Sequence, residues 1–192
     1  MTKYILSLIL LSAITLTGFS QTIEDALGNK DTLTATRLIK EGQNVNALND
    51  EGVSVLMTAC RWGDSLVVKY LLKHGATVNE PLSNAGRTPL MVGCSYYARM
   101  NVITLLIKAG AKVNLAENNG KTALILAASS GKVEIVNYLL KMGADPKIKD
   151  KAGKTALDYA KAAEIDAMLI KMLQGIKVDK AATVAALEKV TR

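Results

Sequence analysis

Short runs of apolar residues recur along the chain in pairs, and a glycine follows each pair. In the second run of a pair, apolar residues at i, i+1, i+4 and i+5 form one broad stripe on a helix, as in residues 67–72, 102–107 and 135–140. The first run is shorter and contains small residues, which allow a helix to pack closely against its neighbours. The pattern therefore predicts pairs of short amphipathic helices.

Two sets of glycines give the helix pairs a period of 33 to 35 residues. The set expected to end each second helix in a left-handed conformation is Gly42, Gly75, Gly110 and Gly143. The set expected to form a tight turn before each first helix is Gly52, Gly86, Gly120 and Gly153. A hydroxyl residue two positions later can cap that helix, at Ser54, Thr88, Thr122 and Thr155. A period of this length indicates a repeat protein whose units stack on one another.

The segment Gly86-Arg-Thr-Pro-Leu-Met91 contains the sequence motif of one unit. Pro89 lies in the first helical turn, where its missing N–H needs no partner. After each second helix we expect a short extended run, at 44–46, 77–79 and 112–114. These motifs recur in register, and over roughly residues 22–174 they resemble the ankyrin repeat. The His of the family's Thr-Pro-Leu-His motif is missing in every copy.

The resemblance implies an all-α fold, an ankyrin-repeat solenoid of helix-turn-helix units with short hairpin loops. The expected units are a degenerate first repeat that acts as a cap, three full repeats and a C-terminal repeat: 21–49, 50–82, 83–116, 117–149 and 150–174. The third repeat carries two single-residue insertions, one of them between its helices in residues 95–100. Residues 175–192 are predicted to form a capping helix over the last repeat, or alternatively a docking helix for a partner.

Residues 1–20 have the pattern of a signal peptide. Lys3 precedes an apolar run from Ile5 to Leu16, and small residues follow. The run is shorter than the roughly 20 residues of a membrane span. We expect export to the periplasm or secretion, with cleavage after Ser20 and no membrane span in the mature chain. An uncleaved membrane anchor is the alternative.

Positive charge is concentrated in the C-terminal half of the chain, which has a formal net charge of +7. Residues 21–80 contain six basic and eight acidic residues, whereas residues 81–192 contain 17 basic and nine acidic ones. The densest run is Lys147, Lys149, Lys151 and Lys154, on the last predicted hairpin. Such a patch can hold the chain to an anionic envelope component, or it can be a solvated surface. Nucleic acid is not an expected partner, since the chain lacks stacking aromatic residues in a suitable pattern.

No pattern in the chain predicts catalysis, a cofactor or a metal. The single histidine, His74, precedes a helix-ending glycine, where it can face solvent and complement the helix C-terminus. Cys60 and Cys94 occupy equivalent places in adjacent repeats, which puts their Cα atoms about 10 Å apart. A disulfide needs less than about 7 Å, so two buried, reduced thiols are expected. We therefore do not expect an enzyme.

A partner protein is expected on the concave surface that the resemblance implies, formed by hairpin tips and first helices. The residues assigned to it are Asn49, Asp50, Arg61, Trp62, Asn84, Arg87, Tyr96, Tyr97, Asn118, Lys121, Lys151 and Lys154. Its aromatic and Arg residues are of the types enriched in interface hot spots, but Trp62 and Tyr96 can equally cover the inter-helix turn by local packing. Exported bacterial members of the family look like partner-protecting or toxin-neutralising proteins. The leading hypothesis is a monomeric scaffold that binds a protein in this way.

Overall fold

The computed structural model describes residues 21–96, 99–162, 184 and 188. The predicted signal peptide, Tyr97 and most of the predicted capping helix lie outside these residues. The helices are α1 (Ile23–Gly28), α2 (Thr32–Lys40), α3 (Val55–Trp62), α4 (Ser65–Lys73), α5 (Pro89–Ser95), α6 (Met100–Lys108), α7 (Ala123–Ser129) and α8 (Val133–Lys141). Residues 156–162 are also helical, and Val184 is buried.

The first helix of each unit begins at the hydroxyl residue that the sequence predicts. The side chain of Ser54 accepts a hydrogen bond from the backbone N–H of Met57, at 3.2 Å. Thr88 and Thr122 make the same contact at the starts of α5 and α7. These bonds satisfy one of the N–H groups that a helix start leaves without a partner. Pro89 lies in the first turn of α5, as predicted.

Each second helix ends two residues before a glycine in the left-handed conformation. At the end of α4, Gly75 has φ +88°. Its N–H donates to the carbonyl of Leu72 at 3.3 Å, and the N–H of Ala76 donates to Leu71 at 3.0 Å. These two bonds occupy carbonyls that the helix end would otherwise leave free. The chain then turns toward the next hairpin.

The helices form two layers. The first helices α1, α3, α5 and α7 pack side by side, and the second helices α2, α4, α6 and α8 pack behind them. Leucines at equivalent positions of the repeats fill the two layers and are almost fully buried. They are Leu56, Leu90 and Leu124 in the first layer, and Leu71, Leu106 and Leu139 in the second. The core is therefore continuous from repeat to repeat, and the predicted all-α solenoid is confirmed.

Hairpins with isolated bridges connect the units, at Leu48–Ser54, Leu82–Arg87 and Ala116–Thr122. Consecutive hairpins also hydrogen-bond to each other through the backbone. The N–H of Ser83 donates to the carbonyl of Gly52 at 2.7 Å, and the N–H of Lys151 donates to Asn119 at 2.9 Å. The hairpins therefore form a row along one edge of the solenoid.

A ladder of asparagines joins the ends of the second helices. Asn79 donates through Nδ2 to the carbonyl of Gly110 at 2.9 Å and accepts from the N–H of Lys112 at 2.8 Å. Asn46 and Asn114 make the same two bonds to the following unit. The prediction of a short extended run at these positions is wrong, because the backbone forms turns and bends at the three asparagines. The turn at each asparagine directs its side chain toward the backbone of the next repeat.

Gly120 should tolerate a side chain much less well than Gly153. Both have positive φ, +80° and +74°, so Ala at either position should cost about 1–2 kcal/mol. At Gly120 a Cβ would also lie 3.0 Å from the backbone of Asp150 and Lys151, whereas at Gly153 it would meet no atom of the described part of the chain within 4 Å. Urea unfolding should therefore show Gly120→Ala to be less stable than Gly153→Ala by a further ~1 kcal/mol or more. Equal losses would show that the hairpins do not hold this spacing.

Candidate functional site

A groove between the second and third predicted repeats brings together four of the residues that the sequence assigned to partner binding. Its cavity has a volume of about 210 Å³. These four are Arg61, Asn84, Arg87 and Tyr96, and the acidic Glu51 also lines the groove. The helices contribute its apolar floor through Met57 and Val92. The groove thus combines a hairpin tip with two first helices, as expected for the concave surface.

Arg61 and Tyr96 form the central pair of this groove. Arg61 lies in the last turn of α3, and its guanidinium carbon is 4.7 Å from the centroid of the Tyr96 ring. Such a cation–π contact holds the long Arg side chain in one place while its N–H groups remain available. Tyr96 is 37% exposed, and its backbone carbonyl accepts a hydrogen bond from Lys132 Nζ. Three successive repeats therefore contribute to the position of this pair.

Arg87, Asn118 and Asn49 are engaged within the protein. Arg87 Nε lies 2.5 Å from Oε2 of the buried Glu117, so its charge is compensated inside the groove wall. Asn118 donates through Nδ2 to the carbonyl of Asn84 at 3.0 Å. Asn49 accepts from the N–H of Val53 at 2.9 Å. These contacts stabilise the hairpins. The polar groups of these three side chains are therefore less available to a partner than the guanidinium of Arg61.

Trp62 lines a different cavity from Tyr96. This cavity has a volume of about 570 Å³ and is lined also by Leu27, Lys30 and Arg99. The chain reverses at Gly63, just after α3, so Trp62 lies at the end of the helix pair that is opposite to the hairpins. Its ring is 41% exposed and lies 5.1 Å from Lys30 Nζ. The structure therefore separates the two aromatic residues that the sequence grouped; Tyr97 lies outside the described residues.

Tyr159 gathers two of the predicted binding lysines at the last hairpin. Lys121 Nζ lies 4.5 Å from the centroid of its ring, and Lys154 Nζ lies 5.6 Å from it. The Tyr159 hydroxyl donates to Asp150 Oδ2 at 2.6 Å, which raises the pKa of Tyr159 and, with backbone N–H donors, lowers the pKa of Asp150. Lys151 is exposed beside this cluster, and Asp50 is exposed on the first hairpin.

Glu24 is a residue of the first helix layer that the sequence did not single out. Its Oε1 accepts a hydrogen bond from Thr58 Oγ1 at 3.0 Å, while its Oε2 is buried with no hydrogen-bond partner among the described residues. Burial raises the pKa of the Glu24 carboxyl, although the Thr58 bond and the charge of Arg61 act in the opposite direction. An acidic residue in a first helical turn is common, so its sequence position carries no sign of this burial.

The histidine and the two cysteines have local contacts or burial that account for their positions in the fold. His74 is the C-cap residue of α4, and its Nδ1 lies 2.8 Å from the carbonyl oxygen of Tyr70. Cys60 and Cys94 are both buried and free, as predicted. Burial raises the pKa of both thiols, that of Cys94 to about 12, which disfavours the nucleophilic thiolate.

Metal and membrane features can be assessed over the described part of the chain. No group of three or more His, Cys, Asp or Glu side chains comes close enough there to hold a metal ion. Among these same residues, none of the helices combines the length and apolar character that crossing a membrane requires.

Comparison with known proteins agrees with the repeat architecture. The family model for ankyrin repeats (3 copies) matches residues 23–117 and 94–182, and the chain belongs to the ankyrin-repeat family. Proteins of this family generally bind other proteins through their repeats, and the repeats themselves are generally non-catalytic scaffolds.

Several much larger proteins share these repeats. The tyrosine-protein kinase HTK16 of Hydra vulgaris is 32% identical over 122 residues, which are 61% of this chain and 16% of the kinase. The nuclear factor NF-kappa-B p105 subunit of Gallus gallus is 38% identical over 98 residues, 50% of this chain and 10% of that protein. Human Rabankyrin-5 is 28% identical over 107 residues, 50% of this chain and 9% of that protein. The chain thus spans less than a fifth of these relatives.

Replacement of Glu24 by Gln should stabilise the protein at neutral pH. Because the folded-state pKa of Glu24 lies above the ordinary 4.5, its ionised form is disfavoured by folding. Its unfavourable contribution should therefore appear as the pH rises through 4.5 toward the raised value, and Glu24→Gln should remove it. Thermal unfolding should show a higher Tm for the variant at neutral pH and no gain below about pH 4.

Glu134 provides the control for this measurement, since it lies exposed in the first turn of α8. Glu134→Gln should show no comparable gain at neutral pH. A Glu24→Gln variant that is less stable than the wild type at neutral pH would contradict the effect of burial.

Proposed function

We propose that the chain is an exported, non-catalytic scaffold that binds a partner protein in the concave groove around Arg61 and Tyr96, and so protects or neutralises that partner. The observation that carries the proposal is the geometry of this pair. A guanidinium is held against an aromatic ring at 4.7 Å, above an apolar floor and beside a hairpin tip. Arg and Tyr in a partly enclosed site are the residue types that most often contribute large shares of binding energy.

The charge of the groove limits the partner surface that fits it. Arg87 is neutralised by Glu117, whereas Arg61 has no ion pair with a carboxylate of the described residues. A partner that presents an acceptor to Arg61 and an apolar side chain to Met57 and Val92 would satisfy the groove. Export rests on the apolar segment between Lys3 and Ser20. The protective role rests on the resemblance to exported bacterial members of the family.

Affinity capture from an envelope extract tests this proposal. The mature chain, residues 21–192, serves as bait beside an Arg61→Gln/Tyr96→Ala variant, and both are washed at about 0.5 M salt to screen loose charge contacts. We expect the native bait to retain one protein and the variant to lose it, because loss of a central hot-spot residue typically costs about 2 kcal/mol or more.

Two controls make the result specific. Lys112→Gln removes an exposed charge away from the groove and should retain the partner. Circular dichroism should show that each variant is folded. Equal retention by the native bait and the groove variant would exclude the groove as the binding site.

A second candidate function is attachment to an anionic envelope component. Lys147, Lys149, Lys151 and Lys154 are all exposed, and none has an ion pair with a carboxylate of the described residues. Their summed field can attract a polyanion or a lipid headgroup, and salt should weaken that attraction.

Replacement of these four lysines by Gln should abolish binding to isolated envelopes at low salt. The matched control replaces four other exposed lysines and gives the same change in net charge: Lys40, Lys73, Lys112 and Lys141. Cosedimentation measures both variants. The control should still bind, and the wild type should dissociate at about 0.5 M salt. Equal loss in both variants would indicate a response to net charge alone.

A further inference from the structure

Two cavities begin at the edge of the solenoid that is opposite to the hairpins, and the second extends along α6 as far as Lys108. The first, of about 570 Å³, lies where α3 turns into α4 and includes Leu27 and Trp62. The second, of about 550 Å³, lies between α4 and α6 and includes Met100 and Leu105. Ser65 and Leu66 line both cavities. We call these two cavities together the turn-edge groove.

The turn-edge groove exposes two large apolar side chains. Leu66 is 46% exposed and Trp62 is 41% exposed. Large apolar side chains that line concave cavities offer sites for inserted side chains, whereas contact with a flat lipid surface needs protruding ones. Two open cavities of more than 500 Å³ each can receive large side chains, which favours a polypeptide segment as the occupant.

The rim of the turn-edge groove is basic. Its four cationic residues are Lys30, Lys69, Arg99 and Lys108. None of them has an ion pair with a carboxylate of the described residues. The one acidic residue in the lining, Asp64, already accepts hydrogen bonds from Thr32 Oγ1 and from two N–H groups at the start of α4. The groove is therefore electrostatically complementary to carboxylates.

We infer that the turn-edge groove binds an acidic segment of a partner protein, which inserts one large apolar side chain into each cavity and presents carboxylates to the basic rim. The first cavity is lined mainly by the first and second predicted repeats and the second cavity by the second and third, so we expect their centres to be about one helix-packing distance apart, roughly 10 Å. Apolar residues seven apart on a helix are separated by the same distance, about 10.5 Å. This surface is independent of the concave groove around Arg61 and Tyr96.

Selection of random peptides against the protein tests the inference. The probe is a library of 16-residue peptides displayed on phage, selected on protein purified from cells expressing the full chain with Arg61→Gln and Tyr96→Ala in place. These substitutions remove the concave groove from the selection. We expect enriched peptides that combine Asp or Glu with at least two large apolar residues.

Two substitutions in the turn-edge groove should abolish the binding of these peptides. Leu66→Glu places a negative charge at a position that lines both cavities, where it should repel an acidic ligand. Arg99→Glu reverses one charge of the basic rim. Fluorescence anisotropy with one synthetic peptide should show at least about tenfold weaker binding for each variant. Both positions are near a helix start, where an acidic residue is compatible with the helix dipole.

Matched controls separate the groove from general effects of charge. Leu33 has the same place in α2 that Leu66 has in α4 and is 78% exposed, but it lines neither cavity. Leu33→Glu and Lys112→Glu should leave peptide affinity unchanged. A library that yields no enriched peptide, or peptides that bind Leu66→Glu as well as the parent, would overturn the inference. So would binding of phosphatidylglycerol vesicles, lost in Leu66→Glu, with no peptide enriched.

Discussion

Stacking of equivalent helices is the constraint on which the rest of this structure depends. No helix pair can bury its own apolar stripe, so Leu56, Leu90 and Leu124 become buried only because the neighbouring repeat covers them. Burial of each such side chain contributes about 1.5–3 kcal/mol, and the contribution is shared between neighbours. The cooperativity of the solenoid follows from this sharing.

The same stacking places residues of different repeats next to one another and so forms the candidate sites. Arg61 comes from α3, Tyr96 follows α5 and Lys132 precedes α8, so the concave groove spans three successive repeats. Hydrogen bonds between consecutive hairpins and the ladder through Asn79 fix the spacing of those repeats. A change in spacing would therefore alter the groove even where every lining residue is unchanged.

Charge distinguishes the two edges of the solenoid. On the hairpin side, Arg87 is paired with Glu117, and Lys121 and Lys154 lie over the Tyr159 ring. On the opposite side, the basic rim of the turn-edge groove has no acidic partner among the described residues beyond the already bonded Asp64. Lys121 and Lys154 thus lie over an aromatic ring, as Lys30 does over Trp62 at the turn edge. Lys69, Arg99 and Lys108 have no ion pair with a carboxylate of the described residues and can contact an acidic ligand.

The sequence by itself determined the helix pairs, their caps and the repeat architecture, because these depend on local spacing and on residues such as Ser54 and Gly75. It also placed Arg61 and Tyr96 in one surface. Only the tertiary structure decided that Trp62 belongs to the other edge, that Arg87 is neutralised and that Oε2 of Glu24 is buried. The physical reason is that these properties arise from contacts across 30 or more residues, between side chains whose directions are fixed only once the repeats stack.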